Sequence, residues 1–189
     1  MPQTDDAVFY QLYFQTPGVA EAEFEHDVRR FIRACLYSIS GDMPEREPAS
    51  PMVPRQGGLL ARWGAHFVNP VSLPSWLTEA DVDFYAAEFA RTGFRGGLNW
   101  YRNIDRNWEL LAAFAGARVT VPALYITGDR DPVVRFPGMD QLIPNLSKFV
   151  PELRSKIILP GCGHWTQQER AAEVNAAMID FLRTLASMR

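Results

Sequence analysis

An acidic residue and a histidine, each just after a short apolar run, are well suited to proton transfer. Residues 127–132 (Thr-Gly-Asp-Arg-Asp-Pro) contain Asp131 and follow the run 119–126, and residues 160–167 (Pro-Gly-Cys-Gly-His-Trp-Thr-Gln) contain His164 and follow the run 156–159. Apolar runs bounded by Gly and Pro predict buried parallel strands, and the active groups of open α/β sheets lie just past the carboxyl ends of such strands. The pattern therefore predicts the acid and the histidine of a nucleophile–acid–histidine triad.

Other interpretations of these loop residues stay open from the sequence. Asp131 precedes a proline and could be a loop acid that caps a turn, and Asp129 competes with it for the histidine. His164 alone could be a structural histidine, although the glycines before it keep its loop narrow. Cys162 is predicted to be a small buried residue and not a nucleophile, because it adjoins the histidine and lies on no nucleophile elbow.

The composition argues against several classes of function. The 189 residues are 47% hydrophobic and 22% charged, which is ordinary for a globular domain, and a net charge of −3 gives no reason to expect nucleic acid or an anionic membrane as partner. Cys35 and Cys162 are far apart and form no metal-ligand pattern, so we expect no metal site and a reduced, intracellular protein. Without a membrane-length apolar run or a signal-peptide pattern, the sequence predicts a cytoplasmic protein.

Helical patterns dominate the chain up to about residue 115. A helix is predicted over 19–37, with acids early and arginines late, as the helix dipole favours. Thr78, with an acid three residues on, predicts the N-cap of another helix. A further helix is predicted over 98–115, after a break at 92–97. Residues 41–75 hold much of the proline and little periodicity, which predicts a long surface excursion.

The order of elements after residue 115 is predicted to be strand, helix, strand, helix. The strands are the runs 119–126 and 156–159, and the helical segments are 141–150 and 168–185. The buried side of the closing helix is predicted to comprise Val174, Ala177, Met178, Phe181 and Leu182. A lone parallel pair of strands does not make an independent sheet, so the pattern predicts the back half of a larger α/β domain.

Four segments of the chain resemble soluble-type epoxide hydrolases of the α/β-hydrolase fold. Residues 9–23 (Phe-Tyr-Gln-Leu-Tyr-Phe-Gln, then Pro-Gly-Val-Ala-Glu-Ala-Glu from Pro17) resemble the entry to the lid of that family, and residues 93–103 (Gly-Phe-Arg-Gly-Gly-Leu-Asn-Trp-Tyr-Arg-Asn) resemble its second tyrosine segment. The loops that hold Asp131 and His164 are similar to the family's acid and histidine loops. The resemblance implies a helical lid (cap) region at 1–115 and the C-terminal part of the α/β-hydrolase core at 116–189.

The resemblance implies a reaction without a cofactor and a role for each matching residue. Tyr10 and Tyr101 would hydrogen-bond the epoxide oxygen and protonate the leaving alkoxide, with Tyr13 as a competitor of Tyr10 one turn on. His164 would deprotonate the water that hydrolyses a covalent ester, and Asp131 would orient His164 and stabilise its imidazolium. A phenol with a pKa near 10 is a reasonable proton donor to an alkoxide. The residues expected to contact a small apolar epoxide are Gln11, Trp100 and Trp165.

The sequence departs from the family in the nucleophile. It contains no small-x-Asp-x-small elbow after a buried strand, no His-Gly-x-Pro-like oxyanion segment and no Gly-x-Ser-x-Gly in their place. We therefore expect the chain alone to be inactive or nearly so, as a late start, a frameshift or a split gene would produce. The partner expected for such a chain is either a second copy of it, in a homodimer, or a complementing N-terminal half.

Two alternative functions remain from the sequence. A haloalkane dehalogenase-like hydrolase shares the fold, but it releases halide through nitrogen donors such as Trp, whereas two lid tyrosines favour an epoxide. A non-catalytic fragment could instead act as an interaction module through an exposed sheet edge.

Overall fold

The structure is a computed structural model that describes residues 1–44, 51–63 and 69–187. The chain divides into a helical unit, Met1–Ser38 with Ala49–Ala113, and a sheet unit, Ile39–Pro48 with Phe114–Arg189. Each unit has a hydrophobic core of its own. The segment from Ile39 therefore belongs with the sheet unit, although it lies in the middle of the predicted helical region.

The helical unit surrounds a core rich in aromatic rings. Phe24 stacks on Phe31 with ring centroids 4.1 Å apart, and Phe94 meets both rings edge-on. Offset and edge-to-face contacts of this kind stabilise aromatic pairs beyond their buried area. Its strands and helices are β1 (Ala7–Phe9), α1 (Tyr10–Tyr13), α2 (Val19–Glu25), α3 (Val28–Ser38), β2 (Met52–Pro54), α4 (Gly58–Trp63), α5 (Glu79–Thr92), α6 (Arg95–Arg102) and α7 (Ile104–Leu110), followed by a 3₁₀ turn (Leu111–Phe114).

The predicted cap at Thr78 is confirmed at the start of α5. The Thr78 side chain accepts a hydrogen bond from the backbone N–H of Asp81, and the Asp81 carboxylate accepts one from the backbone N–H of Thr78. This reciprocal capping box satisfies two of the donors that a helix start leaves unpaired. Val82 and Ala86 are the buried residues of this helix.

The prediction of a single helix over 19–37 is wrong, because the chain forms two helices, α2 and α3, with a break between them. Asp27 supplies the reason: its carboxylate accepts a hydrogen bond from the backbone N–H of Arg30, 3.0 Å away, and so caps the start of the second helix. From the sequence, an acidic residue within a helical pattern is expected to stabilise the helix dipole, whereas Asp27 in the structure caps the start of a new helix.

The helix predicted over 98–115 is also interrupted. α6 begins earlier, at Arg95, and ends at Arg102, and Asn103 separates it from α7. The Asn103 side chain donates to the backbone carbonyl of Asn99, an interaction that competes with continuing the helix. Trp108 and Leu111 are exposed.

The long excursion predicted over 41–75 contains two elements in its described part, which corrects that prediction. β2 pairs antiparallel with β1, and Val8 lies opposite Val53, both buried. α4 buries Leu59 in the same core. A three-residue strand is too short to show an alternating pattern, so its partner across the sheet decides that it forms. Residues 45–50 and 64–68 lie outside the described part of the chain.

The sheet unit contains the two strands that the sequence predicted, and they are parallel. β3 (Ala123–Gly128) begins four residues later than predicted, and β4 (Leu153–Leu159) begins three residues earlier. Ile126 lies opposite Ile157, and Gly128 lies opposite Leu159 at the carboxyl end of the pair. The helices are α8 (Met139–Leu142), α9 (Thr166–Glu169) and α10 (Ala171–Ala186), with 3₁₀ turns at Pro132–Arg135 and Leu146–Lys148.

The buried side predicted for the closing helix is only partly buried. Val174 packs with Leu159 and Cys162 in the core of the sheet unit, whereas Met178 and Leu182 are exposed. A helix packs as far as there is sheet to cover, and in the described part of the chain β3 and β4 form a two-stranded sheet. Among the described residues, no helix combines the length and the apolarity needed to span a membrane.

Candidate active site

Asp131 and His164 lie in direct contact within the sheet unit. Nδ1 of His164 is 3.1 Å from both carboxylate oxygens of Asp131. Asp131 also accepts a hydrogen bond from the backbone N–H of Val133, which fixes its carboxylate in the turn that follows. The Asp131 side chain is 13% exposed and that of His164 is 37% exposed, so the acid is sheltered while the imidazole reaches solvent.

The parallel strands bring these two loops together. Backbone pairing continues past the ends of β3 and β4, because the N–H of Asp129 donates to the carbonyl of Leu159 and the N–H of Arg130 donates to that of Cys162. The close approach requires Gly128, since a Cβ there would lie 2.0 Å from the carbonyl oxygen of Cys162. The loops are therefore held by backbone contacts, and the side chains that follow them meet.

Asp129, the competitor of Asp131, has a different partner. Its carboxylate accepts a hydrogen bond from the backbone N–H of Gly161, at 2.7 Å. Gly161 has a positive φ of 69°, a turn conformation that glycine adopts without steric cost. Asp129 thus stabilises the turn of the histidine loop, and Asp131 contacts the histidine itself.

The electrostatic environment of His164 favours its protonated form. The hydrogen bond to Asp131 raises the pKa of His164 above its ordinary value, burial opposes this, and the negative charges of Asp131 and Glu169 add to the rise. Because a carboxylate can only accept, Nδ1 carries a proton in this contact and Nε2 is left as the basic nitrogen of the neutral ring. This arrangement suits a general base.

Cys162 is a buried residue, as predicted. It is fully inaccessible, and burial raises the pKa of its thiol to about 12. A thiol that stays protonated at neutral pH is a poor nucleophile, so Cys162 contributes packing beside the histidine loop.

Tyr10 and Tyr101 form a ring pair within the helical unit. Their ring centroids are 5.8 Å apart at an interplanar angle of 76°. Phe14 meets both rings edge-on, at 5.6 Å from Tyr10 and 4.9 Å from Tyr101. Burial raises the pKa of Tyr101, and the electrostatic interaction with Tyr10 adds to the rise. The phenol is therefore protonated at neutral pH.

Side chains that the sequence analysis did not single out tie the two tyrosine helices together. The Gln15 amide donates to the backbone carbonyls of Gln11 and Tyr101, at 2.7 and 3.0 Å, and so bridges α1 and α6. Arg102 donates to the backbone carbonyl of Phe14 and forms a buried ion pair with Glu21. The hydrogen bond from Arg102 lowers the pKa of Glu21 to about 2. No sequence signal marks the contacts made across the chain by Gln15 and Arg102, because their partners lie about 80 or more positions away.

Tyr13 is committed to a different contact. Its hydroxyl donates to the Glu23 carboxylate at 2.6 Å, and the same carboxylate accepts from the backbone N–H groups of Leu59 and Leu60 at the start of α4. Burial and this hydrogen bond raise the pKa of Tyr13. Tyr13 therefore helps to hold a helix start, whereas Tyr10 faces Tyr101.

The three residues expected to contact substrate lie in different surroundings. The Gln11 amide donates to the Tyr10 hydroxyl at 3.1 Å, and the Trp165 ring packs edge-on against His164 at 5.0 Å. Trp100 lies on α6 and is 79% exposed. Gln11 and Trp165 thus adjoin the predicted catalytic side chains, and Trp100 projects from the helix that carries Tyr101. Within the ranges that the structure describes, no cluster of three or more His, Cys, Asp or Glu side chains could hold a metal ion.

An Asp–His pair past the ends of parallel strands is a feature of α/β hydrolases, and comparison with known families agrees. The model of the alpha/beta hydrolase family matches residues 17–177. The chain belongs to the alpha/beta hydrolase family, and the predicted partial form of this fold is confirmed.

Individual relatives confirm the predicted resemblance to epoxide hydrolases. The chain is 41% identical to epoxide hydrolase A of Mycobacterium tuberculosis, over 94% of this chain and 52% of that protein. It is 39% identical to bifunctional epoxide hydrolase 2 of Mus musculus, over 93% of this chain and 29% of that protein. The chain thus spans about half the length of the first of these relatives and less of the second.

Solved structures show the same likeness. An epoxide hydrolase from an endophytic Streptomyces aligns with a TM-score of 0.89 at 41% identity, covering 97% of this chain and 54% of that one. Epoxide hydrolase I of potato (Solanum tuberosum) aligns with a TM-score of 0.79 at 37% identity, covering 93% of this chain and 53% of that one.

Proposed function

We propose that this chain supplies the lid and the acid–histidine part of an epoxide hydrolase, which converts an epoxide and water into a vicinal diol. The observation that carries the proposal is the Tyr10–Tyr101 ring pair, with centroids 5.8 Å apart. An Asp–His pair serves many hydrolases, whereas two neighbouring phenols suit a reaction whose leaving group is an alkoxide that needs a proton. The relatives named above, all called epoxide hydrolases, support the same assignment.

In the proposed reaction the two tyrosines act in the ring-opening step. A carboxylate oxygen attacks a ring carbon, the bond from that carbon to the epoxide oxygen breaks, and Tyr10 or Tyr101 transfers its proton to the oxygen. The product of this step is an ester between the carboxylate and the opened substrate. A phenol is protonated at neutral pH already at its ordinary pKa near 10, and an alkoxide is a much stronger base than a tyrosinate. Proton transfer to the alkoxide is therefore favourable even with the raised pKa of Tyr101.

His164 acts in the second step. Nε2 takes a proton from a water molecule, the resulting hydroxide attacks the ester carbonyl, and the diol leaves as the carboxylate is restored. Asp131 stabilises the imidazolium that forms in between. The proton held by His164 finally returns to the tyrosinate, so the cycle consumes one water and one epoxide.

We propose that the nucleophilic carboxylate lies in a part of the protein that this chain does not contain. The chain covers 52% of the Mycobacterium tuberculosis relative and 54% of the Streptomyces one, and it contains no nucleophile-elbow pattern. In this assignment residues 1–115 are the lid and residues 116–189 are the C-terminal part of the core. A small apolar epoxide is the proposed substrate, and Gln11, Trp100 and Trp165 are the residues proposed to contact it.

The decisive experiment joins this chain to the part of the Streptomyces enzyme that it does not cover. We expect the chimera to convert an aryl epoxide to its diol, and the chain alone to lack this activity. Tyr10→Phe and Tyr101→Phe should each lower kcat at least about tenfold, and the double variant should lower it about 10²–10⁴-fold, because the alkoxide then leaves without a proton donor.

Tyr13→Phe is the matched control, since it removes a phenol of the same helix that contacts Glu23 instead. Its kcat should stay within about twofold of the parent chimera. If the double variant turned over the epoxide at the rate of the parent chimera, the proposed epoxide hydrolase function would be wrong. Turnover of haloalkanes in its place would support the dehalogenase alternative, and a chimera without any hydrolase activity would support a non-catalytic module.

A further inference from the structure

The Glu169 carboxylate accepts three backbone hydrogen bonds around the histidine loop. Oε2 accepts from the N–H of Gly163 at 2.7 Å and from that of Gly41 at 2.9 Å, and Oε1 accepts from the N–H of Trp165 at 3.0 Å. Gly163 and Trp165 are the residues immediately before and after His164. Hydrogen bonds from backbone N–H groups to a carboxylate are stronger than those between neutral groups. Glu169 thus holds the chain on both sides of the histidine.

The segment Ile39–Gly41 completes this arrangement. The backbone N–H of His164 donates to the carbonyl of Ile39 at 3.0 Å, so His164 itself is held from the opposite side. Gly41 and Gly163 meet backbone to backbone: a Cβ on Gly163 would lie 2.3 Å from the nitrogen of Gly41. The backbone from Gly163 to Trp165 is therefore bonded at three successive N–H groups.

We propose that Glu169 is a positioning residue for His164: by binding the N–H groups of Gly163, Trp165 and Gly41, it sets the imidazole where Nδ1 meets Asp131. Gly163 in the histidine loop and Gly41 in the facing segment have more backbone freedom than other residues, and the three hydrogen bonds to Glu169 restrict it. In this role Glu169 acts through the backbone on both sides of His164. The effect of its negative charge on the pKa of His164 is separate. The catalytic consequence rests on the proposed function, but the positioning itself does not.

Glu169→Gln tests the proposal, because an amide keeps the size of the side chain but provides only one acceptor oxygen and places an NH₂ group where an acceptor was. Glu173→Gln is the matched control: it removes the same charge four residues later, from an exposed carboxylate that pairs with Arg170. The first measurement is amide hydrogen exchange by NMR in the chain itself. We expect Glu169→Gln to speed exchange at Gly163, Trp165 and Gly41 at least about tenfold relative to Glu173→Gln.

The second measurement reports on His164 directly. ¹⁵N NMR of the imidazole shows whether Nδ1 carries the proton that bonds Asp131, a signature that a purely structural role of Glu169 would leave unchanged. We expect this Nδ1–H signal in the wild type and in Glu173→Gln, and its loss or averaging with Nε2 in Glu169→Gln. A folded Glu169→Gln with the wild-type signal and wild-type exchange would overturn the proposal.

If Glu169→Gln does not fold, the wild-type chain and Glu169→Asp decide the question. The amides of Gly163 and Trp165 should be protected in the wild type although they lie outside helices and strands, and absent protection would refute the proposal. The shorter acid of Glu169→Asp should weaken both readouts in a folded chain. In the chimera, Glu169→Gln should lower kcat with little change in KM; an inactive chimera would count against the proposed function, while the NMR results would still decide the positioning role.

Discussion

At the scale of single residues, the chain assigns different roles to two acids that are two positions apart. The Asp129 carboxylate binds the N–H of Gly161, and the Asp131 carboxylate contacts Nδ1 of His164. The difference follows from the strand ends, because Asp129 still continues the backbone pairing beside Leu159 while Asp131 begins the next turn. A residue's role therefore depends here on its distance from the end of β3.

Asp131→Asn should lower the pKa of His164. The hydrogen bond to Asp131 is the main reason that this pKa is raised, and a neutral amide stabilises the imidazolium less than a carboxylate does. An NMR titration of the His164 ring proton measures the change. Asp129→Asn is the control, since it removes a nearby charge and retains an oxygen acceptor for Gly161; an equal fall in both variants would mean that general charge, and not the contact, raises the pKa.

The same substitution should change how stability depends on pH. Because the folded state holds the His164 proton more tightly than the unfolded chain does, the pair contributes stability that is fully present below the ordinary imidazole pKa of about 6.5 and is lost as pH rises through the folded value. In Asp131→Asn the free energy of unfolding should therefore fall less steeply as pH rises above about 6.5. Chemical denaturation at several pH values measures it, and an unchanged slope would contradict the prediction.

At the scale of elements, glycines have opposite effects according to where they lie. Gly128 ends β3 against the backbone of Cys162, whereas Gly97 lies in α6 with no atom within 4 Å of the position of a Cβ. The first site needs the absence of a side chain for two loops to meet. The second has no such need, and a glycine inside a helix costs conformational entropy.

Gly128→Ala should therefore destabilise the sheet unit, and Gly97→Ala should stabilise the helical unit. For Gly128→Ala the backbone of the histidine loop must move, which we expect to cost about 3 kcal/mol and to disturb the His164–Asp131 contact. For Gly97→Ala we expect a gain of about 0.5–1 kcal/mol. Urea unfolding gives both values, and a neutral Gly128→Ala would contradict the close approach of the strand ends.

At the scale of the whole molecule, the sheet unit exposes apolar side chains that usually lie in a core. Ile158 of β4 is 48% exposed and Leu182 of α10 is 58% exposed, with Met178 and Ile179 similarly exposed. Groups of exposed apolar side chains mark surfaces that are covered by other chains or segments. The part of the relatives that this chain does not cover is the proposed cover.

The chain alone should bind a hydrophobic dye such as ANS and should self-associate as its concentration rises. In the chimera with the Streptomyces segment both effects should diminish, because the added segment would cover Ile158 and Leu182. Fluorescence titration and size-exclusion chromatography measure the two effects. A chain that stays monomeric without binding dye, or a chimera that binds as much dye as the chain alone, would contradict the proposal.

The sequence by itself determined the elements whose signals are local. The apolar runs before Asp131 and His164 predicted both parallel strands, and Thr78 with Asp81 predicted a helix start that the structure confirms. The family resemblance was also readable, because its motifs are short and contiguous. Such features depend on neighbours in the chain, which sequence patterns record.

Only the tertiary structure decided how distant residues share these elements. It showed that Asp131 contacts His164 and that Ile39–Gly41 contacts the histidine loop. It also showed that the Tyr13 hydroxyl bonds Glu23, whereas the Tyr10 ring packs against Tyr101. It also left much of the apolar face of α10 exposed, where periodicity predicted burial. The reason is physical: which partner satisfies a carboxylate, a backbone N–H or an apolar face depends on packing between segments far apart in the chain, and no local pattern records that choice.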